Sequence, residues 1–167
     1  MASNSFASTL VTGLAIVPVK VKAPGKSRVI ETYAFLDNGS NTTFCTEELM
    51  QKLGIKGRKT NLSLTTVQSK NAAVECRLLN LEVFDLKQEH QIDLPNVYSM
   101  HKLPVSSADI ATRQDIDRWP HLKGIELTAI DADVGLLIGC DVPEALQPQD
   151  IRISQNGGPY ATRTLLG

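Results

Sequence analysis

Residues 33–44 read YAFLDNGSNTTF, an apolar run that stops at an acid, a glycine and a row of small polar residues. Aromatic residues before Asp37 favour a strand, whereas Asp, Asn, Gly and Ser are the commonest turn formers. The segment therefore predicts a strand that ends in a turn. Asp37 is then either an ordinary turn residue or a catalytic acid held at a surface or cleft, with Gly39 allowing a second backbone segment to approach closely.

A second apolar stretch, VGLLIG at residues 134–139, lies far along the chain. Together with the Leu-Asp-Xaa-Gly-Ser pattern at residues 36–40, it resembles the two signatures of the retropepsin-like aspartic proteases. The WPHLK sequence at residues 119–123 and the GPYA and TLLG sequences within residues 158–167 resemble the peptidase domain of BEL/Pao-type retrotransposon polyproteins. The resemblance spans residues 9–167.

This resemblance implies a mainly all-β fold, a retropepsin-like closed β-barrel or sandwich with one or two short helices. It implies an aspartic endopeptidase that cuts a retroelement polyprotein between large apolar residues and needs neither a metal nor a cofactor. Asp37 would be the catalytic residue, supported in its loop by Asn38, Gly39 and Ser40. Ile138 and Gly139 would belong to a strand that packs on this loop, where a side chain at the glycine would collide.

The chain contains one Asp-Xaa-Gly-Ser motif, whereas the chemistry of aspartic proteases needs two carboxylates. One carboxylate acts as a base on water while the other polarises the scissile carbonyl. Two like charges so close cannot both ionise, so the pair retains one proton between them. The resemblance therefore implies a homodimer with two-fold symmetry in which each copy supplies one Asp37.

Three positions depart from the pattern of the family. Most relatives carry Thr or Ser in place of Asn38, and that hydroxyl braces the two loops of the dimer. Viral members often carry an acid at the position of Asn41 and an arginine at that of Cys140, and both positions are neutral here. We therefore expect a weak dimer. The alternative is a catalytically weak or inactive retropepsin-like interaction or assembly module, while an unrelated β-barrel binding domain would require both motifs to be coincidental.

Composition restricts the class of protein. The 167 residues fit one domain, and 17 basic against 18 acidic side chains give a net charge of -1. This balance gives no electrostatic reason to expect nucleic acid or a membrane surface as a partner. Three cysteines without a C-x-x-C pair argue against a disulfide framework or a zinc site and favour a reduced, cytoplasmic setting. No apolar run has the length of a membrane span.

The pattern along the chain predicts a flexible tail over residues 1–8 and a domain over residues 9–167. A hairpin at about 61–84 would be the flap, a lid that closes over substrate. Its tip would be Gln68, Ser69, Lys70 and Asn71. A charged segment at about 106–127 breaks the β pattern and predicts inserted helical and loop structure, with Trp119 as a packing anchor.

Capping signals predict two short helices. Thr46 would cap a helix that begins with Glu47 and stops at Gly54. Asp141 would cap a second helix over residues 142–146, because Asp-x-x-Glu resembles a capping box. The other strands are predicted from alternation and β-branched content. They comprise a hairpin of residues 17–21 with 29–36, short strands at 92–98 and 102–105, and a last strand at 160–167.

Overall fold

The computed structural model describes residues 13–65 and 72–167, which form nine strands and three short α-helices. The strands are β1 (Ile16–Lys22), β2 (Ile30–Leu36), β3 (Phe44–Thr46), β4 (Arg58–Leu64), β5 (Ala72–Phe84), β6 (Gln91–Met100), β7 (Val134–Ile138), β8 (Asp150–Arg152) and β9 (Ala161–Arg163). The α-helices are α1 (Glu47–Leu53), α2 (Arg113–Asp117) and α3 (Pro143–Leu146). Short 3₁₀ turns cover Ser107–Asp109 and Pro120–Leu122.

Six strands form a closed barrel in the order β1-β2-β7-β3-β6-β5. The barrel closes because β5 pairs with β1 over Lys20–Lys22, and β4 extends the sheet beyond β5. The predicted fold class, mainly β with a closed barrel and few short helices, is confirmed. Strand β7 is buried at all five positions because β2 and β3 flank it, which explains its continuous apolar sequence.

The two faces of the barrel wall carry separate apolar clusters. On β2, Ala34 belongs to the cluster that fills the barrel, whereas its neighbour Tyr33 belongs to a second cluster on the other face. The second cluster includes Ile110 and Ile130 from the connection between β6 and β7. Ile130 also donates its backbone N–H to the Tyr33 hydroxyl at 2.9 Å. The predicted insertion thus packs on the outside of the barrel.

Helix α1 forms as the sequence predicts. The Thr46 hydroxyl accepts a hydrogen bond from the Leu49 backbone N–H at 3.1 Å, and Gly54 ends the helix in the left-handed conformation at φ 69°. Each feature depends on residues within one or two turns. Local sequence was therefore sufficient to place both ends of this helix.

The predicted cap of the second helix is wrong. Helix α3 begins at Pro143 after Val142, and no side chain caps it. The Asp141 carboxylate instead accepts hydrogen bonds from Thr43, which lies 98 residues earlier in the chain. Thr43 is fully buried, so its hydroxyl and backbone N–H need partners inside the protein.

The hairpin predicted at 61–84 is present, with β4 beginning three residues earlier at Arg58. Strands β4 and β5 pair antiparallel from Arg58 opposite Leu78 to Leu64 opposite Ala72. The predicted flap tip, Gln68 to Asn71, lies outside the described residues.

The last part of the chain differs from the single strand predicted over residues 160–167. Strand β9 covers only Ala161–Arg163 and pairs with β8 in a separate two-stranded sheet. The chain then turns, because the Thr164 hydroxyl accepts from the Leu166 N–H and Leu166 is buried in the barrel core. Residues 102–105 also form no strand, since Leu103 is buried within an irregular segment.

Candidate active site

Strand β2 delivers Asp37 to one end of the barrel. The Asp37 backbone N–H donates to the Ile138 carbonyl at 2.9 Å, which continues the parallel pairing of β2 with β7. The chain then turns tightly, with the Ser40 N–H donating to the Asp37 carbonyl at 3.2 Å. The half-buried Asp37 carboxylate is therefore fixed by strand pairing before it and by a turn after it.

One oxygen of this carboxylate has a backbone partner. Asp37 Oδ1 accepts from the Gly39 N–H at 2.9 Å, and within the described residues Oδ2 has no hydrogen bond. A Cβ atom at Gly39 would lie 3.2 Å from Asp37 Oδ1, a tight contact. The glycine thus leaves space for the carboxylate to reach the backbone N–H.

The end of β7 lies directly against this loop. A Cβ atom at Gly139 would lie 2.7 Å from the carbonyl oxygens of both Ser40 and Thr42, so only glycine fits there without a shift of backbone. The next residue, Cys140, donates its backbone N–H to the Ser40 carbonyl at 2.7 Å. Ile138 points into the barrel core and is fully buried. The fold thus brings Asp37, Ser40, Ile138 and Gly139 together.

A part-buried polar brace joins the loop to the residues after β7, and sequence reasoning missed it. The Thr43 hydroxyl donates to Asp141 Oδ1 at 2.8 Å, and the Thr43 backbone N–H donates to Oδ2 at 3.2 Å. The same hydroxyl accepts from the Gly139 N–H at 3.2 Å. One threonine therefore ties two segments that are 98 residues apart. Asp141, two residues after Gly139, was a visible signal, but its local context suggested a helix cap.

Asn38 lies on the exposed outer side of the loop. Its side chain makes no hydrogen bond within the part of the chain that the structure describes, and its carbonyl accepts from the Cys140 thiol at 2.9 Å. Asn41 is also exposed, and its amide oxygen accepts from the Thr42 hydroxyl at 3.0 Å. The three positions that depart from the family pattern thus form a neutral surface beside Asp37.

The three cysteines are free and differ in their surroundings. Burial raises the pKa of the Cys45 thiol to about 12, and it also raises the pKa of Cys76. Both therefore remain neutral thiols at physiological pH. Cys140 is exposed beside the Asp37 loop, and its thiol donates to the Asn38 carbonyl.

A groove of about 200 Å³ lies against the part of the β4–β5 hairpin nearer its tip. Its apolar lining comes from both strands of the hairpin and from β3 and β6, and exposed Glu47, Glu75 and His101 border it. The other residues that line the groove are Phe44, Leu62, Leu64, Val74, Cys76, Ser99 and Met100. Asp37 is absent from this lining, so the groove and the carboxylate are separate features.

One group of possible metal ligands occurs among the described residues, in the turn between β5 and β6. The ligand atoms of Asp85, Glu89 and His90 lie within 4.8 Å of one another. The Asp85 carboxylate already accepts hydrogen bonds from the backbone N–H groups of Lys87 and His90 at 3.2 and 2.7 Å. These bonds account for the cluster as part of a tight turn, away from Asp37.

No protein-family model and no curated protein matches the chain. Among the residues that the structure describes, no helix is both long enough and apolar enough to cross a membrane. The case for a function therefore depends on the geometry of the Asp37 loop and on the sequence motifs that form it.

Proposed function

We propose that this protein is an aspartic endopeptidase that works as a homodimer, as retropepsin-like enzymes do. The observation that supports this most is the Asp37 turn, in which one carboxylate oxygen is held by a backbone N–H and the other lacks a partner among the described residues. Gly139 packs on this turn at a distance that excludes a side chain. The proposed substrate is a polypeptide, in particular a retroelement polyprotein of the BEL/Pao type.

In the proposed mechanism, two copies of Asp37 meet across a two-fold axis and share one proton. The ionised carboxylate removes a proton from a water molecule, which attacks the scissile carbonyl. The protonated carboxylate donates a hydrogen bond to the carbonyl oxygen and stabilises the negative charge that develops there. The tetrahedral intermediate then collapses, the C–N bond breaks, and the proton taken from water passes from the carboxylate to the leaving nitrogen, so that a carboxylic acid and an amine are released. The Gly39 N–H helps by holding one carboxylate oxygen in place. The mechanism requires no covalent intermediate, metal or cofactor.

The residues around the loop would act by positioning Asp37. A catalytic carboxylate must keep its geometry within a fraction of an ångström, which requires a rigid supporting shell. The contacts of Gly139 with the loop and the brace between Thr43 and Asp141 provide such a shell from one chain. The dimer would then add the second carboxylate without having to order the first.

The hairpin of β4 and β5 would close over the substrate as a flap and exclude water. Its two strands reach the edge of the groove described above. A reduced, cytoplasmic setting is part of the proposal, in keeping with three free cysteines.

The first test compares the parent protein with Asp37→Asn on a peptide library. We expect hydrolysis to fall by about 10²–10⁴-fold or more, because an amide cannot act as a base. The fold should survive, since the Asn oxygen can still accept the Gly39 N–H. Asp131→Asn is the matched control, because Asp131 is an exposed acid that makes no hydrogen bond within the described residues.

Subunit mixing tests the dimer directly. A mixed dimer carries one carboxylate and one amide, so added Asp37→Asn protein should inhibit the parent in proportion to the mixed population. Hydrolysis that persists in folded Asp37→Asn protein would exclude Asp37 from the mechanism. Hydrolysis that depends on Asp37 but stays insensitive to mixing would exclude the shared site.

A second candidate function is a retropepsin-like interaction or assembly module without catalysis. The exposed Asn38 favours it, because an amide replaces the hydroxyl that braces the loops in the family. This candidate predicts a dimer without Asp37-dependent hydrolysis. Mass in solution and peptide cleavage, measured on the same sample, separate the two.

A further inference from the structure

The groove between the β4–β5 hairpin and strands β3 and β6 keeps apolar surface open to solvent. Leu62 and Val74 stand opposite each other in the hairpin, and residues paired in this way lie on one face of a sheet. Val74 is 44% exposed, and Leu62 and Met100 are half-buried. In the proposed enzyme this hairpin closes over the substrate, so the groove lies where a substrate side chain can enter.

The groove lies a short distance across the sheet from Asp37. Phe44, which lines it, pairs with Leu137, and Leu137 pairs with Phe35, two residues before Asp37. Phe35, Phe44 and Leu137 share the second apolar cluster and therefore one face of the barrel wall. Adjacent strands are about 4.8 Å apart, which separates Phe35 from Phe44 by roughly 10 Å, and an extended peptide advances about 3.3 Å per residue. A substrate cut at Asp37 would therefore reach the groove with a side chain about three residues from the scissile bond.

One carboxylate at the border of the groove has no basic side chain of fixed charge as its partner. Glu47, the first residue of α1, lines the groove, and its side chain is 49% exposed. Its Oε2 lies 3.3 Å from Nδ1 of His101, which also lines the groove and is a cation only when it is protonated. Neither Lys nor Arg pairs with Glu47 in the part of the chain that the structure describes. Glu47 is thus available to a cation that enters the groove.

The second acid at this border is directed elsewhere. Glu75 alternates along β5 with Val74 and Cys76, so its side chain lies on the opposite face of the hairpin. Glu75 pairs with Lys59 there at 3.7 Å. The charge that the groove presents to a ligand therefore comes from Glu47.

We propose that the groove is a specificity subsite that takes a lysine or arginine side chain of the polypeptide substrate. Such side chains lay a methylene stem along apolar surface and keep the charged head at its edge, which suits an apolar groove bordered by Glu47. A purely apolar side chain would leave Glu47 without a cation, and an acidic one would meet a like charge. The inference rests on the proposed function, because it names the side chain that the proposed peptidase recognises about three residues from the cleaved bond.

NMR titration of methyl signals tests the subsite on the full-length Asp37→Asn protein, which should leave the probe uncut. The probes are two versions of one alanine-rich pentapeptide, with lysine or norleucine at the centre. Norleucine keeps the four-carbon stem of lysine and lacks the ammonium group. We expect the lysine peptide to shift the methyl signals of Leu62, Val74 and Met100. It should also bind about two- to fivefold more tightly than the norleucine peptide, the range of an exposed ion pair.

Glu47→Gln should remove this preference for lysine, because the amide carries no charge. Glu48→Gln is the matched control, since Glu48 follows Glu47 in α1, pairs with Lys52 at 2.7 Å and does not line the groove. Both changes are combined with Asp37→Asn for the titration. With Asp37 intact, longer peptides that carry lysine at this position should show the same two- to fivefold advantage over norleucine in kcat/KM, roughly as in binding.

Each outcome separates the subsite from the enzyme. A preference for lysine that Glu47→Gln removes and Glu48→Gln retains supports the subsite, even if the parent hydrolyses no peptide. Equal or tighter binding of the norleucine peptide overturns it. A preference that persists in Glu47→Gln, or that both variants lose equally, overturns it as well. Unchanged methyl signals also overturn it, while Asp37-dependent hydrolysis would leave the proposed peptidase standing.

Discussion

The Asp37 loop and the β8–β9 ribbon lie near the same end of the molecule and are stabilised in opposite ways. The loop is tied to the residues after β7 by backbone bonds, by a glycine contact and by the brace between Thr43 and Asp141. The ribbon is anchored on one face and leaves Ile151, Ile153 and Tyr160 in solvent. A single chain thus completes the loop, whereas the ribbon leaves its large apolar side chains exposed.

The largest expected effect comes from Gly139→Val, which disturbs the contact between the end of β7 and the Asp37 loop. A Cβ atom at this position meets three backbone atoms within 2.9 Å, and backbone cannot rotate away as a side chain can. We expect a loss of about 3 kcal/mol in the free energy of unfolding, at the upper end for overpacking. Urea denaturation measures it.

Gly13→Val is the matched control for this prediction. Among the described residues, a Cβ atom at Gly13 meets no atom within 4 Å, and the φ of Gly13 lies outside the left-handed region, so the free energy of unfolding of this variant should change little. Equal losses at Gly139 and Gly13 would contradict the tight contact between β7 and the loop.

The next largest effect is expected from Asp141→Ala. This change removes both acceptors of Thr43 and leaves a buried hydroxyl donor and a backbone N–H without partners. We expect about 1–2 kcal/mol of destabilisation, the usual penalty for an unsatisfied buried group. The loop should also loosen, with a fall in peptide cleavage.

Asp150→Ala, at the start of the ribbon, is the comparison for Asp141→Ala. Asp150 is exposed and its side chain makes no hydrogen bond within the described residues, so thermal unfolding should be nearly unchanged. If both variants unfold like the parent, the Thr43 brace does not hold the loop.

The smallest expected effect comes from Asn38→Thr, which should change the affinity of the proposed dimer. A hydroxyl at this position should restore hydrogen bonds between the two loops, each worth roughly 0.5–1.5 kcal/mol. We expect the dissociation constant of the dimer to fall by about tenfold. Sedimentation over a dilution series measures it, and Asn61→Thr, an exposed change in β4, is the control. Weaker or unchanged association would mean that Asn38 does not limit the dimer.

The sequence alone was enough where contacts are local. The cap at Thr46, the stop at Gly54 and the hairpin of β1 with β2 follow from neighbouring residues and their alternation. The resemblance of residues 134–139 to the late strand of the family predicted β7, and turn chemistry predicted the end of β2 at Asp37. These features depend on interactions within a few residues, which a single sequence displays directly.

Tertiary structure decided which distant residues meet. Asp141 reads locally as a helix cap, yet it binds Thr43, because a fully buried hydroxyl and N–H require partners that no near neighbour supplies. The last eight residues read as one strand, yet burial of Leu166 bends the chain and leaves a separate ribbon. Closure of the barrel through β1 and β5 is likewise a pairing across the fold. Burial and hydrogen-bond satisfaction are properties of the whole packed chain, so local patterns do not specify them.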